Sequence, residues 1–411
     1  MLNIVLLLLV VAAAALSFAR FGWNSFLSLG ALGTAIYSIP AIIGYYSPVH
    51  ISYGAPGVFQ SATSASISIY ILVWMMFIFL LMIFPRIPVD KPAGAQVKLG
   101  QLWAASVIAV AGFFYLVISW GPLFFLEPRG AVEEGAVVTL WRWSLLFGLL
   151  ASVAVRSTGH LAVHTILLVV YFLMGDRTIP AIAVGAVLIF YSLNQEKIKP
   201  VPSFSTVLLV GLSFVFLLYG KLVYLAVKLS DIDIILRLAD RNFIAAQLSS
   251  FEPMVTYNFL EYIIAHDVVL PVDEFFLAIF GNVLLVPSAF GVETSFFNKH
   301  LTAMMPYRIS FGLAGSYYAS GFAFMGILGV MILAVIFLGG LYVMNRCAAT
   351  QKGLVRITLV ILGSTFAVYA HRNGLDNLLS FARQIFIMGV FLNSVASIVR
   401  LLKFKGKRYP A

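Results

Sequence analysis

The chain has few of the residues on which soluble or redox enzymes depend. It contains a single cysteine, Cys347, in 411 residues, so it can form neither an internal disulfide nor a multi-cysteine metal site. Charged residues make up only 10% of the sequence, against about 25% in typical soluble domains. A Gly-rich phosphate loop, a metalloprotease His pair and a hydrolase serine elbow are all missing. The sequence therefore carries no strong signature of a soluble enzyme, and it argues against cysteine redox chemistry.

Hydrophobic residues dominate instead, at 62% of the chain. They fall in successive runs of about 20 residues, each long enough to cross about 30 Å of hydrocarbon. We therefore predict an all-α, polytopic membrane protein with about eleven transmembrane helices. The predicted spans are residues 2–19, 26–44, 67–84, 102–120, 138–155, 160–175, 178–194, 203–226, 321–344, 354–370 and 384–400.

Two of these spans have alternative interpretations. The first run lacks the cationic start and cleavage signature of a signal peptide, so we interpret it as a membrane helix. The runs at 160–175 and 178–194 are either a tight hairpin or one broken helix. Three regions result: N-terminal transmembrane helices (1–226), a large loop (227–310), and C-terminal transmembrane helices with a basic tail (311–411).

The distribution of charge predicts the orientation and the chemical class of partner. With the basic C-terminal tail in the cytoplasm, the cytoplasmic segments hold most of the cations but only two acids, Asp90 and Glu196. The net charge of +10 could suggest nucleic-acid binding. Because no Lys- and Arg-rich domain exists and most cations flank apolar runs, we predict membrane lipids as contacts and no nucleic acid.

The loop at 227–310 holds most of the acidic residues and faces outward in this orientation. Residues 234–264 carry helical spacing. Residues 275–286 are apolar but too few to span a bilayer, which predicts an interfacial or re-entrant helix. We therefore expect a mostly helical cap on the outer face.

The sequence predicts no metal site and no cofactor. His160 and His164 lie four residues apart and would share one face of a helix. A metal site needs at least three convergent ligands, and no third lies near them in sequence. We predict hydrogen-bonded histidines near a helix end.

Arginines recur at or near the predicted outer ends of separate helices. Guanidinium groups stay charged and bind phosphate oxygens bidentately, so a convergent set could hold the pyrophosphate of a lipid-linked substrate. For any single arginine, contact with lipid headgroups is the better explanation. The set comprises Arg129, Arg177, Arg237, Arg241, Arg308, Arg372 and Arg383.

A glycine- and tyrosine-rich stretch opens the predicted span at 321–344. Gly321, Gly326 and Gly329 predict close helix packing, which is the commonest role of glycine in membrane helices. Beside an arginine, Tyr317 and Tyr318 also suit a cleft for sugar and phosphate, because flat rings stack on sugars. Both interpretations remain open at this stage.

In this order, several short motifs resemble the Wzy-type O-antigen (lipopolysaccharide repeat-unit) polymerase family. The resemblance extends over most of the chain as an arrangement of spans and loops. The motifs are Leu126-Glu127-Pro128-Arg129-Gly130, Gly175-Asp176-Arg177-Thr178, Asp240-Arg241-Asn242, Gly315-Ser316-Tyr317-Tyr318 with Phe324-Met325-Gly326-Ile327-Leu328-Gly329, and His371-Arg372-Asn373-Gly374.

The resemblance implies a glycosyltransferase of the bacterial inner membrane. It would join oligosaccharide repeat units, carried on undecaprenyl pyrophosphate, at the periplasmic face, with a chain-length regulator and a flippase as partners. The implied pyrophosphate-binding residues are Arg129, Arg177, Arg241, Arg308 and Arg372. The candidate proton acceptors are Asp240, Glu252, Glu293 and His300, and the candidate sugar-binding residues are Tyr317 and Tyr318.

Two other functions fit the same layout. An O-antigen ligase also has many spans and one large outer loop, and a loop histidine with a nearby arginine, here His300 with Arg308, would suit it. A transporter or flippase of lipid-linked sugars would also be basic and polytopic. Its path should place ionisable groups near the membrane midplane, whereas most charges here lie at predicted helix ends or in loops.

Overall fold

The computed structural model describes residues 1–47, 59–87, 97–121, 135–174, 178–193, 251–283, 297, 315–372 and 374–405, and these residues are mostly helical. The elements in chain order are α1 (Leu2–Phe21), α2 (Phe26–Tyr37), α3 (Ile39–Ile43), β1 (Tyr45–Tyr46), β2 (Gln60–Ser61), α4 (Ser64–Ile83), α5 (Leu99–Trp120), α6 (Ala136–Val155), α7 (Thr158–Leu173), α8 (Thr178–Leu193), α9 (Glu252–Ala265), α10 (Val272–Val283), α11 (Tyr317–Thr350), α12 (Gly353–Tyr369) and α13 (Leu375–Lys405).

The chain is an all-α, multi-pass membrane protein. Six helical segments in its described part are long and apolar enough to cross a membrane: Leu2–Phe21, Ser64–Ile83, Leu99–Trp120, Ala136–Val155, Tyr317–Thr350 and Asn377–Val395. A buried backbone in hydrocarbon must satisfy its own hydrogen bonds, which is why these runs are helical. The predicted span at 203–226 lies outside the described residues. The count of eleven and the outward-facing loop therefore stay predictions.

The span predicted at 26–44 is wrong as a single helix. It divides at Ser38 into α2 and the five-residue α3. Pro40 lacks a backbone N–H and its ring would clash with the preceding turn of a continuous helix. The Ser38 hydroxyl donates to the Thr34 carbonyl and accepts from the Trp74 indole N–H at 2.9 Å, which stabilises the break.

The runs at 160–175 and 178–194 form two separate helices, α7 and α8. The sequence predicts helical structure at 234–264 and 275–286, and the described parts of these ranges contain most of α9 and most of α10. One feature was not predicted: a two-stranded antiparallel pair in which Tyr45 lies opposite Ser61 and Tyr46 opposite Gln60.

The chain divides into two compact units. The first comprises Met1–Ile87, Lys199–Val343 and Thr365–Phe381, and the second comprises Pro88–Ile198, Met344–Ser364 and Ala382–Ala411. Each unit is assembled from three stretches of sequence, so its core depends on contacts between residues far apart in the chain.

In the first unit, α1 packs against α4, α2 and α3. The hydroxyls of Ser17 in α1 and Ser28 in α2 lie 2.9 Å apart. Arg20, near the end of α1, donates to the carbonyls of Met82 and Phe84 at 2.6 and 2.9 Å. A cation at a helix C-terminus satisfies carbonyls that have no partner within the helix. Arg20 thereby fixes the ends of two membrane helices together.

In the second unit, α6 packs on α5, α7 and α8, and α7 packs on α5 and α8. Both predicted histidines are hydrogen-bonded, as expected. His164 Nε2 lies 3.0 Å from the Ser106 hydroxyl, and His160 Nδ1 lies 2.8 Å from the Ser157 hydroxyl. Any side chain at Gly148 would overlap the His164 ring, so glycine is required for this packing.

Helix α11 is broken at Met325 and Gly326. Gly326 has φ 58° and ψ −144°, a conformation that residues with a Cβ rarely adopt. The break brings the backbones on its two sides together, because a Cβ on Gly321 would lie 2.7 Å from the Gly329 carbonyl oxygen. The packing interpretation of Gly321 and Gly329 is therefore confirmed.

Replacing Gly329 with alanine is expected to destabilise the protein by about 1–3 kcal/mol, the usual cost of overpacking a rigid site. The new methyl group would overlap the carbonyl oxygen of Gly321, which is backbone and cannot rotate away. The measurement is thermal unfolding in detergent. Gly339 in the same helix is the matched control, because a Cβ there meets nothing within 4 Å. G339A should be neutral or stabilising, since alanine favours helix, and equal destabilisation by both variants would contradict the packing assignment.

Candidate functional site

An ion pair in the first unit joins two residues that the sequence analysis selected for different roles. The Nε atom of Arg372 lies 2.8 Å from Oε1 of Glu252. Glu252 is the first residue of α9, where the positive end of the helix dipole favours an acid. Arg372 lies in the turn between α12 and α13. The fold therefore brings a candidate proton acceptor and a candidate phosphate-binding group into contact.

Tyr37 completes this group by donating its hydroxyl to the same Glu252 oxygen at 2.9 Å. It is the last residue of α2. A carboxylate held by two donors from different elements has a defined orientation, which is what an acid–base or binding group requires. We call Tyr37, Glu252 and Arg372 the carboxylate–guanidinium site.

The pair is partly exposed, so its contribution to stability is small. The side chains of Arg372 and Glu252 are 34% and 27% exposed. Ion pairs open to solvent contribute about 0–1 kcal/mol to stability, because water screens the charges and two long side chains must be ordered. A partly exposed carboxylate and guanidinium are also accessible to a substrate, whereas a fully buried pair is not.

Arg372 also contacts an aromatic ring. Its guanidinium carbon lies 6.0 Å from the centroid of the Tyr369 ring, at the limit of a cation–π contact. The Tyr369 ring in turn packs against Phe381, with centroids 4.8 Å apart. These contacts restrict the position of the arginine side chain.

His371 fixes the turn that presents Arg372. It is fully buried, its Nδ1 lies 3.2 Å from the Tyr318 hydroxyl, and its Nε2 lies 3.3 Å from the Thr34 hydroxyl. Its ring packs on Tyr37 at 5.5 Å and on Phe337 at 5.3 Å. Tyr37 therefore contacts both the buried histidine with its ring and Glu252 with its hydroxyl. The space around the histidine is tight, because a Cβ on Gly33 would lie 2.9 Å from the imidazole.

Burial lowers the pKa of His371 to about 3, although hydrogen bonds with the Gly30 and Ala367 backbone raise it slightly. The imidazole is consequently neutral at pH 7. Its charged form would lose hydration that no neighbouring acid replaces within the described residues, since its partners are hydroxyls, rings and backbone.

Acidification is expected to destabilise the protein through His371. Between pH 6.5 and about 3 the unfolded histidine binds a proton that the folded one does not, so the free energy of unfolding falls as the pH decreases. At pH 5 the loss is about 2 kcal/mol, because it depends there only on the unfolded pKa of about 6.5. Thermal unfolding at pH 7 and pH 5 measures it. The variant H371Q should show a smaller difference between the two pH values, and an unchanged difference would contradict the assignment.

A second carboxylate, Glu261, holds α9 in place. It is 3% exposed and accepts hydrogen bonds from the Thr63 backbone N–H at 2.8 Å, the Thr63 hydroxyl at 2.9 Å and the Ser66 hydroxyl. Thr63 is the N-cap of α4, so this acid binds the start of a membrane helix. The Ser66 hydroxyl also lies 2.7 Å from that of Tyr257. Because Glu252 is nine residues upstream in the same helix, this anchor also positions Glu252.

Burial and the nearby charge of Glu261 raise the pKa values of two tyrosines next to this carboxylate. Burial raises the pKa of Tyr257, and the charge of Glu261 adds to the increase. Burial and Glu261 raise the pKa of Tyr46 in the same direction. Both phenols are therefore neutral donors at physiological pH, suited to a carboxylate-rich surrounding.

Aromatic rings connect the Glu261 anchor to the histidine. Tyr257 packs on Tyr70 with centroids 5.3 Å apart, and Tyr70 packs on Tyr318 at 5.1 Å. Tyr318 contacts His371. The carboxylate–guanidinium site is thus backed by a continuous aromatic layer contributed by α4, α9 and α11.

The predicted sugar-binding tyrosines belong to this interior layer. Tyr317 is 2% exposed and Tyr318 is 0% exposed, and their rings pack on each other at 4.4 Å. Tyr317 also stacks on Phe337 at 4.8 Å. Their faces are occupied by protein, so their placement gives no support to stacking on a sugar. The physical reason is that the first residues of α11 pack against Tyr70 and Phe337, so the two rings fill the interior of the unit.

The other predicted site residues lie outside the described residues. They are the candidate acceptors Asp240, Glu293 and His300 and the candidate phosphate ligands Arg129, Arg177, Arg241 and Arg308. Their roles stay predictions. Of the predicted acids and arginines, Glu252, Arg372 and Arg383 have described positions, and Arg237 also lies outside the described residues. Glu252 and Arg372 are in contact, whereas Arg383 lies within α13.

Sequence reasoning missed Tyr37, His371 and Glu261 as members or supports of the site. His371 was noted within the His371-Arg372-Asn373-Gly374 motif but was given no role. The usable signal for Glu261 was its place among apolar residues in a predicted helical stretch. An acid in such a place is buried when the helix packs, and a buried acid needs hydrogen-bond partners. Tyr37 lies at the end of an apolar run and carried no signal of its own.

Comparisons with family models, with curated proteins and with solved structures found no match to this chain. The functional argument therefore starts from the side chains of the carboxylate–guanidinium site and the chemistry they allow. A carboxylate can accept a proton, and an adjacent guanidinium can stabilise a developing phosphate anion.

Proposed function

We propose that this protein is a lipid-dependent glycosyltransferase that polymerises oligosaccharide repeat units carried on undecaprenyl pyrophosphate. The reaction would take place at the periplasmic face of a bacterial inner membrane and yield an O-antigen-type polysaccharide. The observation that carries the proposal is the 2.8 Å contact between Glu252 and Arg372, which unites the two chemical functions that glycosyl transfer to a hydroxyl requires.

In the proposed reaction, the acceptor sugar of one lipid-linked repeat unit attacks the anomeric carbon of the growing glycan. A C–O bond forms to the acceptor oxygen, and the C–O bond to the pyrophosphate breaks. The acceptor hydroxyl proton passes to the Glu252 carboxylate, and undecaprenyl pyrophosphate leaves with the bonding electron pair. Arg372 stabilises the charge that develops on the leaving phosphate, the type of contribution that is usually largest in such reactions.

The neighbouring residues have positioning roles in this scheme. Tyr37 orients the Glu252 carboxylate through its hydroxyl. Buried His371 fixes the turn of Arg372, and Glu261 fixes the helix of Glu252. Such support matters because a displacement of about 1 Å at a reacting group can cost about a hundredfold in rate.

The predicted residues without described positions would complete the site. Arg129, Arg177, Arg241 and Arg308 are proposed to hold the two pyrophosphates together with Arg372. Asp240, Glu293 and His300 are alternative proton acceptors to Glu252. The partners implied by the family resemblance, a chain-length regulator and a flippase, belong to the proposal in the same way. No cofactor or nucleotide takes part, because the lipid pyrophosphate itself is the leaving group.

The test is incubation of the purified protein, in liposomes, with a synthetic lipid-linked repeat unit and no energy source. The expected result is a ladder of longer lipid-linked glycans with release of undecaprenyl pyrophosphate. Movement of the substrate across the bilayer without elongation would support the flippase alternative and reject the proposal.

The lipopolysaccharide of a deletion strain distinguishes the polymerase from the ligase alternative. Cells lacking a polymerase should carry a single repeat unit on the lipopolysaccharide core. Cells lacking a ligase should instead accumulate long glycans that are not attached to the core. One gel of lipopolysaccharide from a deletion strain distinguishes the two, and unattached long chains would contradict the polymerase assignment.

A further inference from the structure

The second unit contains a groove that the proposed reaction does not use. It has a volume of about 400 Å³ and is bordered by the start of α5, the first half of α12 and the middle of α13. This volume lies within the range of small-molecule sites, about 300–1,000 Å³.

One end of the groove is positively charged. Lys98 precedes α5 and Lys352 precedes α12, and both line the groove with exposed side chains. None of the described lining residues is an Asp or Glu. The two helices begin here, so the positive ends of two helix dipoles add to the two ammonium groups. In α5 no acid occupies the first turn to offset them.

The polar end is rigid. The Gln101 side chain, which is 3% exposed, accepts from the Lys98 backbone N–H at 3.1 Å and donates to the Asn393 side chain at 3.3 Å. Buried Arg356 donates to the carbonyls of Gln351 and Ala349 at 2.8 and 3.2 Å, which fixes the turn carrying Lys352. The two lysines are therefore presented from ordered backbone.

The remainder of the groove is apolar. Leu362, Phe386 and Val390 line it, and the Phe386 and Val390 side chains are 64% and 51% exposed. Close approach of α12 and α13 closes the groove, because a Cβ on Gly389 would lie 2.6 Å from the Thr358 hydroxyl oxygen. A soluble anion would leave this wall without a partner, whereas an amphiphile with an anionic head covers both parts.

We propose that this groove binds one anionic phospholipid of the surrounding membrane, with its phosphate at Lys98 and Lys352 and an acyl chain along Leu362, Phe386 and Val390. The charge complementarity of the lysine end selects the headgroup, and the apolar wall selects a lipid over free phosphate. Basic pockets between membrane helices bind anionic headgroups for the same reason. The inference does not depend on the glycosyltransferase proposal, since the groove lies wholly within the second unit.

The experiment is native mass spectrometry of the purified full chain in neutral detergent. The probes are phosphatidylglycerol and phosphatidylcholine with identical acyl chains, and glycerol phosphate as the headgroup alone. Phosphatidylglycerol should bind more tightly than phosphatidylcholine. The variant K98Q/K352Q should weaken phosphatidylglycerol binding about 25-fold, from about fivefold for each lysine near a phosphate, and should leave phosphatidylcholine binding unchanged.

Two further variants make the result specific to the groove. R346Q removes an exposed cation of the same unit that does not line the groove, and its lipid binding should equal that of the wild type. V390W fills the apolar wall from an exposed position and should weaken binding of both phospholipids. Thermal unfolding without added lipid verifies that each variant is folded.

Three outcomes would overturn the proposal. The first is phosphatidylglycerol binding by K98Q/K352Q that equals wild-type binding. The second is glycerol phosphate binding as tightly as the whole lipid, which would identify a soluble-anion site. The third is unchanged lipid binding by V390W, which would place the lipid elsewhere on the membrane surface of the protein.

Discussion

Replacing Arg372 with alanine is expected to slow glycan elongation about a hundred- to a thousandfold, the usual cost of removing one charged donor from a developing anion. The free energy of unfolding should change by about 1 kcal/mol or less, because the pair with Glu252 is partly solvated. The measurements are the rate of elongation of a synthetic lipid-linked repeat unit and thermal unfolding in detergent.

Two more variants measure the separate contributions of Arg372 and Glu252 to the elongation rate. R372K keeps the charge but loses the planar fork, so it should fall between the wild type and R372A. E252Q keeps the shape of the side chain but cannot accept the proton, and it should also slow elongation. If both residues act in the same step, their effects are not independent. The double variant E252Q/R372A should then lose less elongation rate than the product of the two single losses.

Normal elongation by R372A at wild-type protein levels would remove this residue from the proposed reaction. A loss of elongation that is matched by a large loss of stability in R372A, and is restored in a stable R372K, would show that the charge supports folding instead. The two measurements together therefore separate chemistry from structure at this position.

Replacing Glu261 with alanine is expected to destabilise the protein by about 3 kcal/mol or more, since buried donors would be left without an acceptor. The Thr63 backbone N–H, the Thr63 hydroxyl and the Ser66 hydroxyl all donate to this carboxylate. Thermal unfolding in detergent measures the loss. E252A is the matched control in the same helix, because its partner Arg372 is partly exposed and the pair contributes little to stability.

Substitutions of the two carboxylates of α9 should thus have different effects. E252A should reduce the elongation rate and leave the free energy of unfolding nearly unchanged. The main effect of E261A should be a lower free energy of unfolding. Equal destabilisation by both variants would contradict the distinction between an exposed functional acid and a buried structural one.

The helices were largely predictable from the sequence, because hydrophobic runs of sufficient length have few alternatives in a bilayer. The predicted start of the span at 67–84 lies three residues after the observed start of α4. The division at Ser38 could have been predicted from Pro40. The break in α11 could not, because glycine is also common in continuous membrane helices. Only tertiary packing selects the positive φ of Gly326.

The site was predictable in its residue types but not in its geometry. Arg372 was selected for its place near a helix end, and Glu252 for its place in the acidic loop. Nothing in the sequence pairs residues that are 120 positions apart, because no local period links α9 to the turn before α13. For Tyr317 and Tyr318 the residue type itself was ambiguous. A tyrosine side chain that suits a sugar-binding cleft equally suits an aromatic core.

The break in α11 also gives the segment between α9 and α10 a backbone partner. Backbone carbonyls just before a helix break lose their donors in the next turn, and such groups are costly within an apolar bundle. The Ala323 carbonyl accepts instead from the Leu270 backbone N–H at 2.8 Å. A residue of the connecting stretch therefore supplies the donor that the broken helix lacks, which joins this stretch to α11 through the backbone.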